Sequence, residues 1–463
     1  MLSKGTYQLT PEQLAKQEER RRKKQLAVQS PPQKLSLINE EKGRTIPRSW
    51  FRLQETDSAS TEQRIKIMTW NLLAQCLVRR ELFPNSDCLK APQREHMIYL
   101  EIATRNADII CLQEVDRLEK VIPVLESIGY AHTYAAGPKK LHGSLIAYKK
   151  DAYEKVAERV VYYDEEDIRQ SDHERARRGA SFRTKNIGNV VALKSTGSQN
   201  KGVVVATTHL FWHPRYTYER ARQAGILRRE VIGFQKAEGH NEWPCIIAGD
   251  FNAPPDDATY ALLVGDPILP SQEDRLSFSR VVHATIDPST PIKTSADDDE
   301  GASVQTNEEG EAETDPDRMI TNARKADPED GLLSTAELAD LYSAHDSRRL
   351  KSLYEEGLRL AKAQNSSGAK IRTFGDRLDS REAEWRNRHG SHEPEWTSFT
   401  HYWRATLDYI FVIDPPDQVS RVCGVLNPLQ TEDLEPGLPR LGISGSDHVS
   451  LVAEVAWSKG SGS

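Results

Sequence analysis

This 463-residue chain is predicted to fold as α/β, with layered β-sheets covered by helices. Two observations carry the prediction. Short apolar runs rich in Val, Ile, Tyr and Thr recur from Ile65 onward, each of strand length. Between them lie stretches of helical spacing, such as Arg94–Arg105 and Tyr218–Ala237. Strands interleaved with helices bury their apolar faces as covered sheets, not as a helical bundle.

Along the chain, residues 1–60 read as a polar extension. Thr10 before Pro11 and Glu12 marks a helix start, and the spacing predicts a helix to about Val28. Arg20-Arg21-Arg22-Lys23-Lys24 on it is a solvated face, or a nuclear-address or RNA-contact patch. The expected strands are Ile65–Trp70, Ile109–Leu112, Ser144–Tyr148, Val190–Leu193, Val203–Thr208, Cys245–Ala248, Leu407–Ile413 and Val449–Val455. Residues 285–330 are rich in Asp, Glu, Ser, Thr, Pro and Gly, with few aromatics, and read as an acidic disordered insertion. Helical spacing returns over Ser334–Lys362, with Leu338, Leu341, Leu350, Leu353 and Leu358. Residues 458–463 read as a flexible tail, which leaves 61–457 as the folded unit. No repeat of 20–50 residues is visible, so an attached leucine-rich-repeat module is not expected.

Composition narrows the class. A mean hydropathy of −0.64 with 37% hydrophobic residues confines the core to part of the chain. The net charge of −7 argues against a polyanionic substrate until its location is seen. Nine acids and no Lys or Arg lie between Asp297 and Asp315, so the remainder carries +2. No apolar run reaches the length of a membrane span, and the N-terminus has no apolar signal region. Glu12, Glu18 and Glu19 argue against a mitochondrial transit peptide, although a short presequence stays open. The five cysteines are scattered without a Cys-x-x-Cys pair, which fits a reducing compartment and no zinc site. Cys111 and Cys245 stand in apolar runs and are expected as buried thiols.

The chemistry-bearing residues share one placement, at the end of an apolar run where a strand meets its loop. They are Trp70-Asn71, Gln113-Glu114, Thr208-His209, Gly249-Asp250-Phe251-Asn252 and Ser446-Asp447-His448, with Asp408 inside a run of its own. A lone Asp after a strand is more often a turn or cap residue, and a lone His is usually structural. A carboxylate inside an apolar strand, as at Asp408, is costly unless paired. Six such placements together point to one site. Phosphodiester cleavage fits the residue types. A hard cation such as Mg²⁺ takes oxygen ligands, which Glu114 and Asn71 supply without soft donors. Asp250 can accept a proton from attacking water. Asn252, His209 and His448 can donate to developing charge on phosphorus. Asp408 can pair with His448, fixing its tautomer and keeping it cationic.

The strings MTWNLLAQ, ICLQEVD, THLFWHP, IAGDFN, TLDYIF and GSDHVSLVAEV, in this order, resemble the endonuclease/exonuclease/phosphatase superfamily. Within it the chain is most similar to the Ccr4/nocturnin-type subgroup, and there to the fungal Ngl-type RNA exonucleases. The resemblance covers about Ile65 to Trp457, interrupted by the acidic insertion. It implies a DNase I-like four-layer α/β sandwich, two packed mixed sheets flanked by helices, with the site at one edge of the sheets. It implies Asn71 and Glu114 as metal residues, with Glu114 the main Mg²⁺ ligand and Mn²⁺ a substitute. His209 would touch the scissile phosphate. Asp250 and Asn252 match the Gly-Asp-x-Asn element, and Asp408, Asp447 and His448 match the strand Asp and final Asp-His. No signature position is substituted. Asp250, Asn252 and Asp447 can build a second Mg²⁺ site or only position water, and either Asp250 or His448 can be the base.

Substrate positions follow from the same resemblance. Pro214, five residues after His209, and Trp403, five before Asp408, match a pair that grips the terminal base. Stacking suits an unpaired base and contributes about 1–3 kcal/mol; a loop proline and a core tryptophan are the alternative. Phe211, Trp212, Tyr216 and Tyr402 nearby read as packing residues. Residues 142–148, His142-Gly143-Ser144-Leu145-Ile146-Ala147-Tyr148, resemble the strand that lines the family's groove. Asn189 matches a phosphate-contacting position. Arg175, Arg177, Arg178, Arg183 and Lys185 either track an incoming backbone or form a solvated loop. The expected activity is Mg²⁺-dependent 3′–5′ exonucleolytic hydrolysis of single-stranded RNA, from poly(A) tails or ribosomal RNA precursors, to 5′-mononucleotides. The alternative is the same fold acting on a small nucleotide or on DNA. The expected partner is a single-stranded RNA 3′ end, met by a monomer with no membrane contact. The expected address is nucleus, nucleolus or cytoplasm, with the mitochondrion left open.

Overall fold

The structure is a computed structural model that describes residues 37–53, 63–198, 201–290, 322–364, 371–378, 385 and 388–459. In chain order its strands are β1 (Trp50–Arg52), β2 (Gln63–Asn71), β3 (Ile109–Val115), β4 (Tyr130–Ala135), β5 (Gly143–Lys149), β6 (Tyr153–Tyr162), β7 (Ile187–Ser195), β8 (Gly202–His209) and β9 (Cys245–Asp250). They continue as β10 (Val281–His283), β11 (Ala323–Lys325), β12 (Lys351–Ser352), β13 (Ser398–Phe399), β14 (Arg404–Ala405), β15 (Asp408–Ile413), β16 (Gln418–Leu426) and β17 (Leu451–Lys459). A seven-stranded sheet has the order β1-β16-β17-β2-β3-β5-β4, and a six-stranded sheet the order β12-β15-β9-β8-β7-β6. Both are mixed: β2 runs parallel to β3 and β8 parallel to β9, while their other neighbours are antiparallel.

The sheets pack face to face. Ile65, Ile67, Cys111 and Ile146 of the first meet Val191, Val203, Val205, Ile246 and Ile410 of the second. The outer face of the seven-stranded sheet presents Met68, Ile110, Leu112 and Leu145 to helices Ala91–Arg105 and Leu118–Ser127. That of the six-stranded sheet presents Val190, Val204, Ala206 and Ile247 to helices Thr217–Ala237, Ala258–Val264 and Thr335–Ser343. The result is the four-layer sandwich expected, helix on sheet on sheet on helix. Strands covered on both faces become unbroken apolar runs, and this is why β8 reads Val-Val-Val-Ala-Thr-Thr and not as an alternation. Each large aliphatic side chain buried this way contributes about 1.5–3 kcal/mol.

Six of the eight apolar runs lie wholly in strands; Leu407 stands just before β15, and Val449 and Ser450 just before β17. Strands β1, β4, β6, β10 to β14 and β16 were not expected. β4 and β6 are sheet edges, and β6 alternates exposed and covered positions over Glu154–Arg159, which dilutes the apolar signal. The span given to the acidic insertion needs correction at both ends. Residues 285–290 and 322–330 belong to the fold: β10 pairs with β11, and Asp287 is buried against Arg324 at 2.8 Å and Arg175 at 3.1 Å. The central part, 291–321, lies outside the described residues, as does the N-terminal helix expected over Thr10–Val28. The tail expected from 458 begins later, because β17 runs to Lys459.

Candidate active site

Strand register brings the polar strand ends together. Across three neighbouring strands of one sheet, His209 of β8 lies beside Asp250 of β9, and Asp250 beside Asp408 of β15. In the facing sheet Asn71 ends β2 next to the end of β3. There the pairing of β3 with β5 slips between Leu112 and Val115, and Glu114 adopts a left-handed backbone at φ 55°. The irregularity splits Gln113 from Glu114. Gln113 turns into the space between the sheets and donates to Thr69 Oγ1 at 3.2 Å and Thr207 Oγ1 at 2.9 Å, while Glu114 swings into the cleft.

The cleft is a network of acids and imidazoles. The Asn71 amide donates to Glu114 Oε1 at 3.1 Å and to Asp250 Oδ2 at 3.0 Å, joining the two sheets. Glu114 Oε2 accepts from the Ala74 backbone at 2.8 Å. His209 sits between the carboxylates, Nδ1 3.8 Å from Glu114 and Nε2 3.6 Å from Asp250. His448 Nε2 lies 3.7 Å from the same Asp250 oxygen, and its Nδ1 is 2.7 Å from Asp408 Oδ2. Asp250 Oδ1 accepts from the Asn252 backbone at 2.9 Å, while the Asn252 amide donates to Leu210 O at 3.0 Å.

Electrostatics assigns states. Burial pushes Asp408 up to about 6, and neighbouring Asp250 adds to this while His448 opposes it. Burial works against the His448 cation, yet Asp408, Asp250 and Asp447 raise its proton affinity well above the ordinary value. The pair therefore holds a proton at neutral pH, on the imidazole side. Burial and the nearby Glu114 push Asp447 up. Burial acts to raise Glu114 too, but His209, His142, the Ala74 amide and Asn71 outweigh it and keep it ionised.

Glu114, Asp250, Asp408 and Asp447 thus crowd one cleft, with Asp447 and Asp408 each feeling a neighbouring carboxylate. Such excess negative charge, on oxygen donors alone, fits a divalent cation held by Glu114 with Asp447 or Asp250 beside it. Asp250, Asp408 and His448 also approach within 4.8 Å of one another. His448 Nδ1 is already committed to Asp408, so that trio is better suited to holding a proton than a metal. Asn71 differs from expectation: its NH₂ faces both carboxylates and its oxygen accepts from the Leu73 backbone at 3.0 Å. As placed its NH₂ steadies the acids, and one lone pair of its oxygen is taken by the Leu73 amide.

The remaining expected residues divide. Pro214 stands exposed on the loop after β8, where Arg220 holds its carbonyl at 3.0 Å. Trp403 stands half-buried in the turn of the β13–β14 hairpin. That hairpin docks on the site through the Ser398–His448 bridge and a 3.0 Å bond from Phe399 N to Asp447 O. Asn189 does not line the cleft. It is buried between the sheets and donates to Ser144 O at 3.4 Å. The cleft residue of that segment is Asn186, with Lys140, His142 and Lys185 around it. Sequence reasoning missed Lys140 and Asn186, because both stand ahead of apolar runs and not at their ends, the placement that revealed most of the others. It also missed Arg94, whose buried guanidinium donates to Leu72 O at 2.9 Å, Leu73 O at 2.8 Å and Gly445 O at 2.8 Å. Arg94 ties the segments after Asn71 and before Asp447 together, and nothing within an amphipathic helix pattern marks it.

Comparison with known proteins identifies the family. The profile of the Endonuclease/Exonuclease/phosphatase family matches residues 68–448. The Schizosaccharomyces pombe protein named "Probable RNA exonuclease C9B6.11c" is 29% identical over 423 residues, spanning 87% of this chain and 77% of that protein. "RNA exonuclease NGL2" of Saccharomyces cerevisiae is 28% identical over 460 residues, spanning 89% of this chain and 81% of that protein. A crystal structure of ANGEL2, described as a 2′,3′-cyclic phosphatase, shares the fold with a TM-score of 0.54 at 18% identity, covering 89% of this chain and 99% of its own. The chain belongs to the endonuclease/exonuclease/phosphatase family, and it is a hydrolytic enzyme of the nuclease and phosphodiesterase kind.

Proposed function

We propose that this enzyme is a Mg²⁺-dependent 3′–5′ exoribonuclease that releases nucleoside 5′-monophosphates from single-stranded RNA. The observation that carries it is the acid–imidazole cluster, with the hairpin whose turn carries Trp403 docked through Ser398 and Phe399 on the Asp447–His448 segment. The names of its two fungal relatives point to the same substrate. Bound Mg²⁺ supplies charge neutralisation at the scissile phosphate. Glu114 would be its principal ligand. Asp250 accepts the proton of the attacking water, because His448 is already protonated and cannot serve as base. His448, held by Asp408, donates to a phosphoryl oxygen as charge develops, and His209 and Asn252 flank it. Trp403 and Pro214 hold the terminal base, and the single aromatic face favours an unpaired base.

The test is a time course on 3′-labelled single-stranded RNA and on abasic duplex DNA, with Mg²⁺ and with a chelator. Stepwise loss of single nucleotides from the RNA, stopped by the chelator, is expected. Intact RNA alongside cut DNA would refute the substrate class. Glu114→Gln should lose metal-dependent turnover by about a hundredfold or more while RNA still binds; unchanged turnover contradicts the metal assignment.

A further inference from the structure

Beside the acid–imidazole cluster lies a cleft lined by Glu114 and His209 on one wall and by Lys140, His142, Lys185 and Asn186 on the other. We propose that this cleft is a second phosphate subsite, holding the phosphate on the 5′ oxygen of the nucleotide that precedes the scissile bond. The inference deepens the exoribonuclease reading and rests on it.

Its cations are free for a ligand. Of the five basic residues considered for backbone contact, three are committed elsewhere: Arg175 pairs with Asp287, Arg177 with Asp167 and Arg178 with Glu174. Among the described residues Lys185 forms no ion pair, and neither does Lys140. The Lys140 ammonium is largely withdrawn from solvent and donates to Asn186 Oδ1, a neutral oxygen. Asp164 and Glu114 act on it only from beyond contact distance, and a buried ammonium with no anion in contact is costly until one completes it.

The walls are built rigidly. Gly137 approaches the Lys185 carbonyl so closely that a Cβ there would lie 1.8 Å from the oxygen. The turn is closed by Lys140 N on Gly137 O at 3.0 Å. Asp164 accepts from Lys185 N at 2.7 Å and from Thr184 N at 3.1 Å. The one carboxylate near the opposing turn is thereby spent on backbone amides. The two lysines face a fixed polar concavity, a geometry that suits phosphate oxygens.

Sheet order sets the direction. The hairpin that carries Trp403 docks on the Asp447–His448 segment, whereas the cleft opens at the starts of β5 and β7. The orders β17-β2-β3-β5 and β15-β9-β8-β7 put Glu114, His209 and Asp250 between the two. An RNA whose last base rests on Trp403 crosses the scissile position and leaves over the lysines.

The discriminating substrates are ApA and pApA, which differ only in the 5′ phosphate. With the full chain and Mg²⁺, kcat/KM should favour pApA by about tenfold or more, the worth of one or two charge-assisted hydrogen bonds. Lys185→Gln, at an exposed position, should cut the pApA/ApA ratio several-fold. Lys140→Met, which keeps the apolar stem, should do the same, and the double variant should bring the ratio near one. Equal rates on both substrates by the unaltered enzyme would overturn the subsite alone, as would a ratio that survives both substitutions. No cleavage of ApA, pApA or a longer labelled RNA would instead end the exoribonuclease reading and the subsite with it.

Discussion

Asp408→Asn isolates the internal proton holder of the site. Asp408 Oδ2 lies 2.7 Å from His448 Nδ1, and both side chains are buried. Unit charges at that separation attract by about 6 kcal/mol at an effective dielectric of about 20. Desolvation offsets part of this, and removing one partner of such a buried pair costs about 3–5 kcal/mol. Asparagine keeps the shape and an acceptor oxygen but not the charge. His448 carries its proton because Asp408, Asp250 and Asp447 outweigh burial. A group raised in this way stays cationic below its folded value and loses the cation as pH rises through it. In the native enzyme the alkaline limb of kcat/KM therefore lies well above the ordinary imidazole range. In Asp408→Asn it should move to lower pH, with turnover at pH 8 down by about 10²–10³-fold, the usual cost of one transition-state donor. The assay is kcat/KM against pH on a short RNA, with circular dichroism to confirm folding. An alkaline limb that stays in place while the rate falls would refute His448 as the protonated donor.

Other perturbations follow from the same geometry. Arg94→Met leaves the carbonyls of Leu72, Leu73 and Gly445 without their donor. It should cost about 3 kcal/mol and lower Tm by roughly 6 °C or more in a thermal melt; an unchanged Tm would show that Arg94 does not clamp these segments. Gly249→Ala places a Cβ 2.2 Å from Thr208 O, a backbone atom that moves only if β8 and β9 part. A loss of about 3 kcal/mol or more in denaturant unfolding is expected, with activity falling as His209 and Asp250 separate. Glu393 is fully buried and pushed up to about 8, by burial first and then by Glu355. Because the folded value exceeds the unfolded one of about 4.3, its stability contribution is complete at low pH and is lost as pH rises toward 8. Glu393→Gln should therefore gain Tm over the native protein progressively from pH 5 to 8, and a difference independent of pH would contradict the buried acid.

How far the sequence revealed this site depends on where each residue sits in its strand. Asn71, His209, Asp250 and Asp447 were legible because a polar residue ending an apolar run violates the pattern around it. Asp408 was the sharpest case, an acid opening a run otherwise apolar through Ile413. The strands hidden from sequence were those with a solvated face, such as β6, where Glu154 and Glu158 interrupt the apolar positions. Gln113 and Glu114 looked equivalent in the chain. Only the slip of β3 against β5 and the left-handed backbone of Glu114 separate a bridge between sheets from a residue of the cleft. Asn189 and Asn186 show the same limit. Both precede or enter β7, but only the register shows that Asn189 is turned between the sheets toward Ser144. Burial of Arg94 and the pairing of the 322–330 segment with β10, Asp287 and Arg175 are set by partners far away in sequence, so local pattern holds no record of either.

The distribution of charge explains why a cation belongs in the mechanism. Asp408 is matched by the His448 proton it holds. Arg94, near Asp447, spends its donors on carbonyl oxygens. Glu114 and Asp250 are left sharing His209 and the single NH₂ of Asn71, while Asp447 has only the more distant charges of His448 and Arg94. A phosphodiester brings a further negative charge into that cleft, against carboxylates already close enough to perturb one another. Without a divalent ion the enzyme would repel its substrate at the point of reaction, while Lys140 and Lys185 attracted it a few ångströms away. On the proposed reading, metal dependence follows from how the acids are matched. For this reason Glu114→Gln, which removes one uncompensated charge, should weaken turnover far more than it weakens RNA binding.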